Sequence, residues 1–185
     1  CPTISEDLRK RMGVAAVAAA KAVGYTNAGT IEFLLDDYNN FYFMEMNTRI
    51  QVEHGVTEEI VGVDLISRQI RIASGEILDI DQTEVKPQGV AIEARITAEN
   101  VWKNFAPSPG KITGYFPALG PGVRVDSHMY QGYSIPPFYD SLVAKLIVKA
   151  RSYDLAVSKL ERALDEFTIE GVRTTLPFLL AISKR

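Results

Sequence analysis

The sequence predicts an α+β protein, because helical and strand-like patterns occupy different segments of the 185-residue chain. Near both ends, apolar residues recur at the three- and four-residue spacing of a helix. Between them, short runs of alternating apolar and polar residues are separated by proline and glycine turns, which is typical of antiparallel strands. With 46% apolar residues, the chain can bury a large core, as one large domain or two small ones.

The first half of the chain predicts a helix, a hairpin and a second helix. Ser5 can cap a helix that runs to about residue 23. The period then changes to two, and "TIEFLL" and "FYFMEM" form an antiparallel hairpin joined by the turn-rich "DDYNN". Helical spacing returns over residues 64–74.

The second half predicts a β-rich region closed by helices. Strands are expected in "GVAIEARIT", "KITGYF", "GVRVDS" and "SLVAKLIVKA", and helices over residues 154–167 and 176–183. The polar stretch 76–88, which contains Pro87, is a plausible boundary. We therefore expect two domains, residues 1–86 and 87–185.

Composition excludes several function classes. A net charge of -3 argues against nucleic acid and acidic membranes as partners, because both require a basic surface. The single cysteine, Cys1, leaves no disulfide framework, which predicts a reducing compartment such as the cytoplasm. No apolar run reaches the length of a membrane span. Because the chain starts on Cys1 rather than Met, we expect it to be a fragment.

The hairpin carries oxygen-rich side chains. Glu45 and Asn47 share a strand face, and Glu32 joins them if the register allows. Two carboxylates and an amide are hard ligands suited to Mg²⁺ held against phosphates. The alternative is that these are surface glutamates on an amphipathic strand.

Polar residues continue beyond the hairpin, with Arg49, Gln51, Glu53 and His54 close together. The planar fork of an arginine can hold a small oxyanion bidentately. Glu53 could then lie beside a bound anion as a general base.

The segment "FYFMEMNTRIQVEHGVTEEIVGVDLISRQIRIASGE" resembles the signature of the biotin carboxylase family, the ATP-grasp enzymes within acetyl-CoA, propionyl-CoA and pyruvate carboxylases. "GVAIEARITAEN", "FAPSPGKITGYF", "GVRVDSHMYQGYSIPPFYDSLVAKLIVKARS" and "ALDEFTIEGVRTTLPFL" resemble the C-terminal domain of the same family, in the same order. The resemblance implies the second lobe of an ATP-grasp fold followed by that C-terminal domain, with an antiparallel sheet and packing helices.

The resemblance also implies a two-step reaction. Bicarbonate attacks the γ-phosphate of ATP to give carboxyphosphate, which carboxylates biotin on a carrier protein. By motif match, Glu32 and Glu45 would bind Mg²⁺ or Mn²⁺, with Asn47 beside the second metal, and Leu34, Glu32 and Glu45 would contact ATP. Bicarbonate would be held by Arg49, Gln51 and the backbone of Val52, and Glu53 would be the base that deprotonates it. In the second step, Arg95 would stabilise the enolate-like oxygen of biotin, and Asp140 would line the biotin site.

Some of these residues also have simpler interpretations. Without the resemblance, Arg95 is a solvent-facing or ion-paired residue on a strand, and Asp140 caps a turn. We expect His54, as a histidine at a strand end, and His128 to be structural. Gly55 stands where the family usually has proline, which relaxes the backbone there.

The chain contains no glycine-rich phosphate loop, so we expect the N-terminal half of the same enzyme to supply the residues that hold the phosphates of ATP. We therefore expect the isolated chain to be inactive. The implied partners are a biotin carboxyl carrier, a carboxyltransferase and a second copy, with Arg124 suspected at the dimer surface. Two alternatives remain: a carbamoyl-phosphate synthetase type of ligase, and a dimerisation or docking module only. The final carboxyl acceptor is not predicted.

Overall fold

The computed structural model describes residues 4–184, so Cys1 lies outside the described residues. The chain divides into two units. The first contains the chain up to His54 together with Asp64–Asp81, and the second contains Gly55–Val63 together with the chain from Gln82 onward. Helices and antiparallel strands occur in both units, which confirms the α+β class. Within residues 4–184, no helix has the length and apolar character needed to cross a membrane.

The first part of the chain contains the predicted helices and hairpin. Its elements are α1 (Glu6–Ala22), β1 (Thr30–Leu35), β2 (Phe41–Asn47), α2 (His54–Val61) and α3 (Leu65–Ala73). The Ser5 side chain accepts a hydrogen bond from the backbone N–H of Leu8, which confirms the predicted cap. Asp64 caps α3 in the same way through the N–H of Ser67. From Gly55 onward, α2 packs with the second unit.

The second unit is built on an antiparallel sheet. Its elements are β3 (Val90–Thr97), β4 (Glu99–Asn100), a 3₁₀ turn (Val101–Lys103), β5 (Ala106–Pro107), β6 (Gly110–Lys111), β7 (Gly114–Phe116), β8 (Val123–Ser127), β9 (Ser134–Ile135), β10 (Leu142–Ala150), α4 (Tyr153–Glu166), β11 (Thr168–Glu170) and α5 (Leu176–Ser183). β10 is the central strand, between β3 and β8. The predicted strands over β3, β8 and β10 are confirmed, as are helices α4 and α5.

The two faces of this sheet have opposite character. One face packs against α4 and α5 through buried apolar residues, including Ala94, Ile96, Leu146 and Val148. Because successive strand residues point to opposite faces, Glu93, Arg95, Lys145, Arg124 and Asp126 lie on the other face. The sheet therefore separates the hydrophobic core from a charged surface.

The segment Gly55–Val61 of α2 packs on the charged face. Gly55 is buried, and a Cβ placed on it would lie 2.3 Å from Ile147 Cδ1. The guanidinium of Arg124 pairs with Glu58, and the Lys149 ammonium donates to the carbonyl of Glu59. Gly55 thus has a packing role that the sequence did not predict.

Three local features differ from the sequence predictions. "KITGYF" is not one strand, because Gly110–Lys111 pairs with β9 whereas Gly114–Phe116 pairs with β11. The helix α2 was not predicted at all, since its eight residues directly follow a polar segment whose alternation suggested extended chain. His54 is consequently the first residue of a helix and not a residue at a strand end.

Candidate functional site

The register of the hairpin brings the predicted metal ligands together. Glu32 pairs directly with Glu45, and Thr30 pairs with Asn47. The Asn47 Nδ2 group donates to Glu32 Oε1 at 2.8 Å and to Glu45 Oε1 at 3.1 Å. Like charges directly opposite each other destabilise a strand pair, so this shared donor offsets their repulsion.

The chemistry of this group suits a hard cation. Carboxylate oxygens converge on one point, which the Asn47 amide nitrogen occupies in the structure. The amide oxygen faces the other way and accepts from Arg49 Nη2 at 3.2 Å. Among residues 4–184, no group of three or more His, Cys, Asp or Glu side chains could hold a metal ion. Two protein carboxylates leave coordination sites for water and phosphate oxygens, as Mg²⁺ requires.

Arg49 continues the polar contacts beyond the end of β2. Its Nη1 donates to Gln51 Oε1 at 2.7 Å and to the carbonyl of Ile50 at 3.1 Å. The hydrogen bonds therefore form a connected chain from the two glutamates through Asn47 and Arg49 to Gln51. Arg49 is exposed, so its guanidinium is accessible to a small anion.

A tight turn follows Gln51 and presents the predicted base. The carbonyl of Gln51 accepts from the backbone N–H of His54 at 3.2 Å and lies 2.7 Å from His54 Nδ1. Val52 and Glu53 lie between them in the turn, and both are exposed. His54 therefore has a structural role in closing the turn, and the Glu53 carboxylate lies at a surface that substrate could reach.

Leu34 lies on β1 opposite Tyr42. Its side chain is 58% exposed, and Leu35, Tyr42, Phe43 and Met44 of the same hairpin are also exposed. Exposed apolar side chains grouped in this way commonly mark a surface that another molecule or segment covers.

Arg95 and Asp140 belong to the second unit. Arg95 lies on β3, with its Nε 3.5 Å from Glu93 Oε1. The Arg95 side chain is 49% exposed, whereas that of Glu93 is 5% exposed. Lys145 lies opposite Arg95 on β10 and approaches Asp126 at 3.3 Å. Arg95 is thus ion-paired and accessible at the same time.

The neighbouring Arg124 is held more tightly. Its Nε and Nη2 donate to the two Asp126 oxygens at 2.8 and 2.9 Å, and its Nη1 lies 2.8 Å from Glu58. The hydrogen bond to Asp126 raises the pKa of Arg124, against the effect of partial burial. Burial raises the pKa of Asp126, but the hydrogen bonds and charges of Arg124 and Lys145 outweigh this and hold it below its usual value. These contacts fasten α2 to the sheet.

Asp140 precedes β10, and its Oδ1 accepts from the backbone N–H of Leu142 at 2.8 Å. This is the turn-capping contact that the sequence allowed as its simpler role. Asp140 also lies at the wall of a cavity of about 480 Å³, with His128, Tyr133, Tyr139 and Lys145 among the other lining residues. The carboxylate can therefore contribute both to the turn and to the cavity.

The sequence did not predict that Glu93 and Lys145 would accompany Arg95. Glu93 was detectable in principle, because it precedes Arg95 by two residues on a predicted strand and must share its face. Lys145 was not, since its place depends on the pairing of β3 with β10, which the strand patterns leave open.

Known families match both parts of the chain. Residues 93–185 match the family described as "Biotin carboxylase C-terminal domain". Residues 1–81 match the family described as "Carbamoyl-phosphate synthase L chain, ATP binding domain". The two matches follow the order that the sequence resemblance implied.

Individual relatives are similar over nearly the whole chain. Biotin carboxylase 1 of Bacillus subtilis is 57% identical over 183 residues, which are 98% of this chain and 40% of that protein. The biotin carboxylase of a Nostoc species is 56% identical over 177 residues, which are 96% of this chain and 40% of that protein. The chain therefore spans about two fifths of the length of these relatives.

Solved structures of biotin carboxylases are also similar to nearly the whole chain. The biotin carboxylase domain of Hydrogenobacter thermophilus 2-oxoglutarate carboxylase, a dimer in complex with MgADP, ADP and bicarbonate, has a TM-score of 0.94 at 49% identity and covers 98% of this chain and 40% of that one. Campylobacter jejuni biotin carboxylase, in a complex with a β,γ-ATP ligand, also has a TM-score of 0.94, at 48% identity, over 100% of this chain and 41% of that one. Since the C-terminal family alone matches half of the residues, this chain belongs to the biotin carboxylase family.

Proposed function

We propose that this chain supplies part of the active site of a biotin carboxylase, which uses Mg-ATP and bicarbonate to carboxylate biotin on a carrier protein. The observation that carries the proposal is the connected chain of hydrogen bonds from Glu32 and Glu45 through Asn47 and Arg49 to Gln51. The H. thermophilus relative, which binds MgADP and bicarbonate, supports it.

The hairpin would bind the metal and the nucleotide. Glu32 and Glu45 would provide the carboxylates for Mg²⁺ or Mn²⁺, and Asn47, whose amide group lies between them, would be the residue beside a second metal ion. When bound, the metal supplies positive charge that neutralises the phosphates of ATP. The exposed side chain of Leu34 offers an apolar surface for the adenine edge.

The segment after β2 would hold and activate bicarbonate. Arg49 and Gln51 are already joined by a hydrogen bond, and the backbone of Val52 follows directly in the exposed turn. Glu53 takes the proton of bicarbonate. The bicarbonate oxygen then attacks the γ-phosphorus, and ADP leaves as carboxyphosphate forms. Positioning and charge neutralisation are the main requirements of such phosphoryl transfer.

Arg95 would act in the second step. The ureido nitrogen of biotin passes its proton to a phosphate oxygen of carboxyphosphate, and negative charge develops on the ureido oxygen. The nitrogen then bonds to the carboxyl carbon as the bond from that carbon to the phosphate oxygen breaks, and inorganic phosphate leaves with the proton. A guanidinium remains charged at any relevant pH and can stabilise that oxygen. Asp140, at the wall of the nearby cavity, would line the biotin site.

The proposal implies partners. They are a biotin carboxyl carrier, a carboxyltransferase that chooses the final acceptor, the N-terminal half of the enzyme and a second copy of the chain, as in the H. thermophilus dimer. We place the domain boundary near residue 86, between the two family matches. We also propose a cytoplasmic location, because a single cysteine leaves no disulfide framework and fits a reducing compartment. Without the residues of the N-terminal half that hold the phosphates of ATP, residues 1–185 alone are expected to be inactive.

The experiment is an assay of ADP release by the longest polypeptide that the gene for this chain encodes, which we term the complete gene product. Mg²⁺ and bicarbonate are present, and free biotin is compared with ammonia. The proposal predicts bicarbonate-dependent ADP release that rises with biotin. Stimulation by ammonia alone would instead support a carbamoyl-phosphate synthetase type of reaction.

A further inference from the structure

We propose that Glu93 is a positioning residue for Arg95, and that it orients the guanidinium for the biotin half of the reaction. The inference rests on the proposed role of Arg95. It concerns a residue that neither the resemblance nor the motif match assigned to the site.

The burial of Glu93 is the first support. Its side chain is 5% exposed, although it lies on the charged face of the sheet. A carboxylate is costly to bury unless a cation accompanies it. Arg95 lies two residues later on the same face, with its Nε 3.5 Å from Glu93 Oε1. The pair thus joins a buried anion to a half-exposed cation.

The second support is the contrast between Arg95 and Arg124. Arg124 makes a bidentate contact with Asp126 at 2.8 and 2.9 Å and a further contact with Glu58, which is a geometry that fixes a side chain in place. The contact of Arg95 with Glu93 is longer and involves Nε, at the inner edge of the guanidinium. This ion pair is not a hydrogen bond, so it draws the guanidinium toward Glu93 while half of the Arg95 side chain remains accessible.

The charges across the sheet face are the third support. Arg95 and Lys145 are cross-strand neighbours, and like charges in that position repel. Asp126 lies 3.3 Å from Lys145, and Glu93 lies beside Arg95. A carboxylate therefore lies beside each cation, with Asp126 shared between Lys145 and Arg124, and removal of the Glu93 charge would allow Arg95 to turn away from Lys145.

The test uses the complete gene product and the ratio of biotin-dependent to biotin-independent ADP release. Glu93→Gln keeps the shape of the side chain but removes its charge. We expect it to lower the ratio by about tenfold to a hundredfold, because a catalytic group misplaced by about 1 Å can lose about 10²-fold in rate. Glu166→Gln is the matched control, because it breaks an exposed pair with Arg162 on α4, and it should leave the ratio unchanged.

Two further variants separate positioning from folding. Arg95→Lys keeps the charge but lacks Nε, at a half-exposed position, so it should lower the ratio by a similar factor in a folded protein. When Glu93→Gln is added to Arg95→Ala, no further loss is expected, because both act on the same interaction.

The outcomes distinguish this inference from the proposed function. A normal ratio in Glu93→Gln or in Arg95→Lys, together with a lowered ratio in Arg95→Ala, would overturn the inference and leave the proposed function intact. Additive losses in the double variant would also overturn it. No rise of ADP release with biotin in the unsubstituted protein would overturn the proposed function itself, and the inference with it.

Discussion

The contact between Gly55 and Ile147 yields a prediction whose size follows from the structure. Gly55→Ala would place a Cβ 2.3 Å from Ile147 Cδ1, far inside the contact distance of about 3.5–4.0 Å between carbon atoms. Ile147 is 1% exposed, so its side chain has little room to move. Overpacking of this kind costs about 1–3 kcal/mol. The better helix propensity of alanine returns at most about 1 kcal/mol.

Ile147→Val provides the matched background. It removes Cδ1 and costs about 0.5–1.5 kcal/mol by itself. The next Ile147 atom, Cγ1, lies at an ordinary contact distance of 3.8 Å from the added Cβ. In that background, Gly55→Ala should be neutral or stabilising, whereas in the native background it should destabilise by about 1–2 kcal/mol. The two substitutions are therefore expected to be strongly non-additive.

Native-state hydrogen exchange of the Leu146 and Val148 backbone amides on β10 measures the stability change caused by Gly55→Ala in each background. The exchange gives the local free energy of opening without requiring that the two units unfold together. An equal cost of Gly55→Ala in both backgrounds would refute the steric argument. It would mean that the glycine is needed for its backbone and not for its lack of a side chain.

Three further substitutions test the site and its support. Glu53→Gln in the complete gene product should lower bicarbonate-dependent ADP release by about 10²–10⁴-fold. The control Glu84→Gln, at an exposed position, should leave that rate unchanged. Equal rates of ADP release in the two variants would exclude Glu53 as the base. Arg49→Lys should raise the KM for bicarbonate at least about tenfold, because a single ammonium cannot replace the forked donors; an unchanged KM would contradict this. Asp126 has a pKa below its usual value because Arg124 and Lys145 outweigh burial, so its contribution to stability is present above about pH 4 and is lost as pH falls through the folded-state pKa. Asp126→Asn should therefore flatten the acid limb of a plot of unfolding midpoint against pH, and an unaltered slope would count against the pairing.

Sequence patterns predicted the long elements well because local signals define them. The cap at Ser5, the two hairpin strands and the amphipathic α4 each follow from residues close together in the chain. The short strands β4, β5, β9 and β11 were missed, since they exist only through pairing with distant segments. The length of α2 gave too little periodicity to predict it.

The same division applies to the candidate site. Alternation placed Glu45 and Asn47 on one face, but only the register showed that Glu32 lies directly opposite Glu45. The contact of Gly55 with Ile147 joins residues separated by most of the second unit, and no local pattern encodes it. The functional roles came from family resemblance, whereas the grouping that could support them came from the geometry.

The most direct test of the proposed function follows the carboxyl group itself. The complete gene product would be given isotopically labelled bicarbonate, Mg-ATP and a biotinylated carrier protein, and label on the carrier would be measured for the native sequence, Glu53→Gln and Arg95→Ala. We predict ATP-dependent labelling by the native protein and severe loss in both variants. An unlabelled carrier despite bicarbonate-dependent ATP cleavage would contradict the assignment of biotin as the carboxyl acceptor.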